Sequence, residues 1–167
     1  MKIFSYGSNM NLARLKERVP TAVYVTIASI NNYTLKLKKI SKDGSSKATI
    51  LPTENEDDIV WGVIFEIDDS EKEQLDKAEG LGSGYNQDTK NFTDEDGNGH
   101  FAQVYIADNA ALSDELLPYD WYMEFIITGA RQNQLPKEYI DRILSIENIV
   151  DRDEKRRQKN LSLIAKN

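Results

Sequence analysis

Three sets of residues along this chain could do chemistry: a glycine-containing turn near the start, a glutamate where a helix meets a glycine-rich stretch, and a scatter of tyrosines. Tyr6-Gly7-Ser8-Asn9-Met10 follows the strand-like Lys2-Ile3-Phe4-Ser5 and precedes Asn11 to Val19, whose apolar spacing is helical. Backbone N–H groups at such a strand-to-helix turn lack intrahelical acceptors and can hold a carboxylate or a developing oxyanion. The plainer reading is a tight connection capped by Ser8, Asn9 or Asn11, with Gly7 adopting a backbone geometry that other residues resist. Glu79 sits beside Leu75, Ala78 and Leu81, where a carboxylate could be partly desolvated and take and then return a proton. Its plainer reading is an exposed glutamate before a helix-ending glycine. Tyr6, Tyr85, Tyr105 and Tyr122 face the same choice, since amphipathic aromatics usually serve cores with the hydroxyl finding one partner.

Other constellations are weaker. Asp94, Asp96, Asn98 and Gly99 match the opening of a calcium loop, but the twelfth position is Tyr105 where a bidentate glutamate is required, so a polar hairpin turn is the better reading. Gly80-Leu81-Gly82-Ser83-Gly84 follows a helix and lacks the lysine and hydroxyl of a nucleotide loop. Ser8 with His100 and an aspartate would make a hydrolytic triad, although the turn lacks the second glycine of a nucleophile elbow.

These groups must be positioned by one compact unit. The chain has 167 residues, 40% of them hydrophobic, which suits a single domain with a real core. No cysteine is present, which excludes disulfides, thiolate nucleophiles and sulfur-bound zinc, and a single histidine cannot build a His-rich metal cluster. A net charge of −7 opposes binding to a phosphate backbone. Lys36, Lys38, Lys39, Lys42 and Lys47 cluster locally and are expected on the solvated face of a hairpin. The most apolar run, Ile59 to Phe65, is too short to span a bilayer, and no secretory pattern opens the chain, so a soluble cytoplasmic protein is expected.

Strands are expected at Ala22 to Ile27 and Tyr33 to Lys38, with Asn31-Asn32 as the turn between them, and again at Ala48 to Thr53 and Val60 to Ile67. Ser70-Glu71-Lys72-Glu73 has capping-box spacing, so a helix should run through Gln74 to Ala78 and end at Gly80. Tyr85 to Phe92 and Phe101 to Ala107 should form a hairpin. After Pro118 the pattern becomes helical: Trp121, Phe125 and Ile126, a segment from Gly129 to Pro136 that contains the break, then a stripe of Tyr139, Ile140, Ile143, Leu144 and Ile146. From Asp151 the charged residues to 167 are expected to form a peripheral helix or tail, frayed at its end, beside a domain of residues 1–150.

Taken together, Tyr6-Gly7-Ser8-Asn9-Met10, Leu75-Asp76-Lys77-Ala78-Glu79-Gly80 followed by Tyr85, and Gly129-Ala130-Arg131-Gln132-Asn133-Gln134-Leu135-Pro136 resemble the gamma-glutamylcyclotransferase family, in order and over residues 1 to about 149. The resemblance implies an α+β fold, a small mixed β-barrel with flanking helices. It implies that the amides of Gly7, Ser8, Asn9 and Met10 hold a gamma-glutamyl group, that Glu79 is the acid/base, and that Tyr6, Tyr85, Tyr105 and Tyr122 line the cavity. The implied reaction needs no cofactor and no enzyme nucleophile, because the substrate's own alpha-amine attacks its gamma-carbonyl and releases 5-oxoproline. The expected partner is a small gamma-glutamyl molecule, with neither nucleic acid nor membrane. The oligomeric state stays open, a homodimer being one option. Two competing expectations are a non-catalytic module binding a glutamyl or carboxylate ligand, and a Ser8-dependent hydrolase.

Overall fold

The computed structural model describes residues 1–164. Strands β1 (Lys2–Ser5), β2 (Val23–Asn31), β5 (Ile59–Glu66), β6 (Tyr85–Asp94) and β7 (Gly99–Ala107) close into a barrel in the order β1-β5-β2-β6-β7. Its apolar centre is β5, which pairs antiparallel with β1 and β2 and buries Val60, Val63, Ile64 and Phe65 completely. Closure comes from a parallel contact of β1 with β7 at Ile3 and Gln103, which makes the barrel mixed and removes its free edges. Phe4 and Phe92 stack within it, ring centroids 3.9 Å apart, a contact worth about 0.5–1.5 kcal/mol beyond the area it buries.

Strands β3 (Tyr33–Ile40) and β4 (Ser46–Pro52) form a separate two-stranded antiparallel sheet. Asn32, in the left-handed region at φ 60°, redirects the chain between β2 and β3. The two strands therefore follow one another without pairing, β2 staying in the barrel while β3 takes β4 as its partner. The Thr49 hydroxyl accepts the N–H of Ala107 at 2.9 Å and ties this sheet to the barrel.

Five helices surround the strands among the described residues: α1 (Leu12–Lys16), α2 (Lys72–Glu79), α3 (Asp120–Gln132), α4 (Lys137–Leu144) and α5 (Glu154–Ile164). α1 is shorter than the Asn11 to Val19 pattern suggests, and Asn11 is its N-cap, accepting from the N–H of Arg14 at 3.1 Å. The capping box at Ser70 does not form, because Asp68 captures the N–H of Ser70 at 2.8 Å and opens a short 3₁₀ turn that leads into α2. Gly80 closes α2 in the left-handed conformation at φ 73°, as the helix-ending glycine should. Trp121, Phe125 and Ile126 are buried along α3, and Tyr139 and Ile143 along α4, whereas Leu144 is turned out to 45% exposure.

The helical break falls within the segment where the sequence places it. Gly129 lies inside α3, which runs to Gln132, and the interruption is confined to the residues before α4. α5 is tied down at its start: Asp151 accepts from Trp121 Nε1 at 2.8 Å and from Arg156 Nε and Nη2 at 2.6 Å each, while Arg157 Nε reaches Asp120 at 2.6 Å. Arg156 and neighbouring donors hold the Asp151 carboxyl far below the usual carboxylate range.

Candidate active site

A cavity is lined by the turn after β1, α2, β4, the start of β6, the end of β7 and α3, through Tyr6, Gly7, Ser8, Asn9, Ala48, Leu75, Glu79, Tyr85, Tyr105 and Tyr122. Ser8–Met10 form a 3₁₀ turn directly after Gly7. Among the described residues the N–H groups of Gly7, Ser8 and Asn9 find no acceptor, whereas that of Met10 is bonded to Gly7 O at 3.0 Å. The Met10 donor is thus used within the turn, and its side chain is fully buried and does not line the cavity. Gly7 is needed for space and not for an unusual φ, which is −115°. A Cβ there would stand 3.1 Å from Ala48 Cβ and 3.4 Å from the Tyr122 hydroxyl, so a side chain would intrude on the cavity wall.

The turn is held from behind. Gly129 lets α3 approach its backbone so closely that an added Cβ would lie 2.6 Å from Asn11 N and 2.7 Å from Met10 C. Asn133 Nδ2 donates to Met10 O at 3.0 Å and to Gly129 O at 2.7 Å, clamping the two segments together.

Glu79, at the last position of α2, has a side chain 16% exposed. Asn9 Nδ2 donates to its Oε1 at 2.7 Å, and Arg18 Nη1 bonds the same oxygen as well as Asn9 Oδ1 at 3.0 Å. Both bonds to the carboxylate fall on Oε1; Oε2 accepts none from the described residues. Arg14 Nε donates to Ser8 Oγ at 3.1 Å and Nη1 to Asn160 Oδ1 at 3.2 Å, with the guanidinium 4.4 Å from the Phe125 ring centroid. Burial, reinforced by the nearby charge of Arg18, lowers the Arg14 pKa to about 10. Neither arginine was singled out from the sequence. The only sequence signal was their place on the segment following the turn; Arg14 lies on α1, while Arg18 lies in the turn that follows it.

The four tyrosines converge as their hydroxyls find partners. Tyr6 donates to Tyr105 O at 2.5 Å, Tyr85 to Ala48 O at 2.5 Å, and Tyr105 to Asp76 Oδ1 at 2.6 Å, while the Tyr122 oxygen accepts from Ala48 N at 3.0 Å. Burial is the largest influence on each and raises all four pKa values, so the cavity is walled by neutral phenols. Asp76 lies one helical turn before Glu79, so α2 places the carboxylate and steadies Tyr105 at once.

The hydrolytic constellation is not assembled. His100 Nε2 lies 2.7 Å from Asp94 Oδ2 at the closed end of the β6–β7 hairpin, and Ser8 has Arg14 as its partner. Asp94 also accepts from the N–H groups of Asp96 and Asn98, and His100 with these donors holds its carboxyl down at about 2, which makes the segment a polar turn. No cluster of acidic and histidine side chains suited to a metal occurs among the described residues. Lys47 departs from the solvated face expected of it: its ammonium bonds Asp43 at 2.7 Å and Ser45 at 2.6 Å and lies 4.7 Å from the Tyr122 ring centroid.

Comparison with known proteins agrees with this arrangement. A model of the AIG2-like family matches residues 59–143. The gamma-glutamylcyclotransferase of Bos taurus is 31% identical over 150 residues, spanning 86% of this chain and 77% of the relative, and that of Mus musculus is 29% identical over the same shares. A solved structure described as a gamma-glutamyl cyclotransferase superposes with a TM-score of 0.82 at 27% identity, covering 95% of this chain and 98% of the other. A Homo sapiens crystal structure gives 0.81 at 27% identity, over 94% and 97%. The order of the three sequence motifs, the closed mixed barrel and these matches lead to one statement: the chain belongs to the AIG2-like, gamma-glutamylcyclotransferase family.

Proposed function

We infer that this protein is a cofactor-independent gamma-glutamylcyclotransferase that releases 5-oxoproline and a free amine from a small gamma-glutamyl compound. The observation that carries the reading is the meeting of Glu79 with the unpaired N–H groups of Gly7, Ser8 and Asn9 on one tyrosine-walled cavity. Family membership supports it from outside the site.

The chemistry follows from what these groups can do. The substrate carries both its nucleophile, the alpha-amine, and its electrophile, the gamma-carbonyl, so a cavity that curls the chain makes the attack intramolecular and saves much of the barrier. Glu79 takes a proton from the alpha-ammonium through its unengaged oxygen, and the freed amine attacks the gamma-carbon. The loop amides stabilise the oxyanion that forms, typically the larger electrostatic contribution. The bond from the gamma-carbon to the departing nitrogen then breaks. Two protons pass in turn from the alpha-nitrogen to the departing nitrogen by way of Glu79, so the lactam keeps one hydrogen and the amine leaves as ammonium. Asn9 and Arg18 fix the carboxylate through its other oxygen, and the tyrosines exclude water that would divert the reaction to hydrolysis.

Residues 1–150 form the reactive unit in this reading, with α5 bracing it. The charge of −7 opposes binding to a phosphate backbone, and no helix among the described residues is long and apolar enough to cross a membrane. The test is mass-spectrometric identification of products from a panel of gamma-glutamyl amino acids and amines. The expected products are 5-oxoproline and the free amine. Release of free glutamate would replace the reading with hydrolysis, and tight ligand binding without any product would replace it with a binding module.

A further inference from the structure

Among the described residues near the cavity, one cation stands without a hydrogen-bonded or ion-pair partner. Arg14, Arg18 and Lys47 each have hydrogen-bonded partners, but the ammonium of Lys39 has neither a hydrogen bond nor an ion pair among the described residues. Its position is built by the strand that carries it. A register shift between Leu37 and Lys39 sets Lys38 and Lys39 against the single residue Lys47 of β4, and such bulges re-aim side chains. Lys38 pairs with Asp114, while Lys39 turns to the other side and crosses the face of Tyr85, its Nζ 4.9 Å from the ring centroid. Gly84 gives it passage: a Cβ at that position would stand 2.9 Å from Lys39 Cε and 3.2 Å from Nζ. The Tyr85 ring under this ammonium sends its hydroxyl to Ala48 at the cavity wall.

A partly desolvated ammonium without a counter-ion favours an anion brought to it. Burial lowers the Lys39 pKa, and the charge of Glu79 acts against that shift. In the cyclotransferase reading, the loop amides and Glu79 engage the gamma-glutamyl half of a substrate. Lys39 arrives from a different strand, beside the Gly84–Tyr85 edge, and is left for the other half. We propose that Lys39 is a specificity-determining residue that binds an anionic group on the departing amine, so that gamma-glutamyl amino acids are taken in preference to gamma-glutamyl amines or amides.

This rests on the cyclotransferase reading, and the test separates the two. The measurement is kcat/KM for 5-oxoproline release from gamma-glutamylalanine and from its C-terminal amide, in the wild type, Lys39→Met, Lys39→Arg and Lys39→Glu. Wild type should favour the acid, and Lys39→Met should lower the acid-to-amide ratio about tenfold, chiefly through KM, as expected for one charge-assisted hydrogen bond. Lys39→Arg should keep the preference and Lys39→Glu should invert it. Because both substrates are read on the same protein, partial misfolding cancels from the ratio. An unchanged ratio in Lys39→Met, with 5-oxoproline still formed, overturns the role of Lys39 alone. No 5-oxoproline from the wild type with any gamma-glutamyl compound overturns the cyclotransferase reading, and the role of Lys39 with it.

Discussion

At the residue scale, the proposed reaction rests on a division between the two oxygens of one carboxylate. Glu79 Oε1 is bonded by Asn9 and Arg18, which orients the group, and in the proposed mechanism Oε2 carries the protons. Replacing Glu79 by glutamine keeps the shape and a hydrogen-bond acceptor but removes the base. We expect Glu79→Gln to lower kcat by roughly 10²–10⁴, the usual contribution of a positioned acid/base, with the folded state retained. Steady-state 5-oxoproline release, together with circular dichroism, checks this; full turnover in the variant would remove Glu79 from the reaction. Arg18 gives the same residue its structural meaning, because the ion pair bridges the segment after the first turn to the end of α2, parts of the chain far apart in sequence.

At the element scale, what matters is how closely α3 docks on the turn that carries the unpaired amides. An added methyl at Gly129 would meet the Met10–Asn11 backbone at 2.6–2.7 Å, and backbone cannot yield as a flexible side chain can. Gly129→Ala should therefore cost about 1–3 kcal/mol, as overpacking does, and should reduce turnover by moving the turn. Thermal melting and 5-oxoproline release measured on the same preparation test this, and a variant with unaltered melting and unaltered turnover would contradict it. This contact shows where sequence reading stops. The three motifs were legible because each is local: a strand-to-turn-to-helix pattern, a helix running into Gly80, and a Gly-Ala-Arg run. That Gly129 is a docking point inside α3 depends on what stands opposite it, which periodicity does not contain. Pairing was hidden for the same reason. Alternation marked β2 and β3 as strands, but their partners were set by the left-handed Asn32 and the separate β3–β4 sheet. Asp68 displaced the expected Ser70 cap because two good cap residues stood two positions apart, and the earlier one prevailed.

At the scale of the whole molecule, the barrel and the cavity are braced from outside by α5. Asp151, 1% exposed, joins Trp121 of α3 to Arg156 of α5, and Asn160 of α5 reaches Arg14, which holds Ser8 of the turn. The Asp151 carboxyl has its folded-state pKa pushed well below the unfolded value of about 3.9. Its stabilising contribution is therefore complete above that value and is lost as pH falls through the folded pKa. Thermal melts from neutral pH downward should show stability declining below about pH 4, and Asp151→Asn should remove part of that decline while lowering the melting temperature at neutral pH. A variant with the wild-type melting temperature at neutral pH would show that α5 does not brace the molecule. All of this scaffolding serves a reaction in which the substrate attacks itself and water takes no part. The measurement that tests this claim most directly is turnover of a gamma-glutamyl amino acid in ¹⁸O-labelled water, read by mass spectrometry. The account predicts 5-oxoproline free of the heavy isotope; glutamate carrying ¹⁸O in its gamma-carboxylate would contradict it.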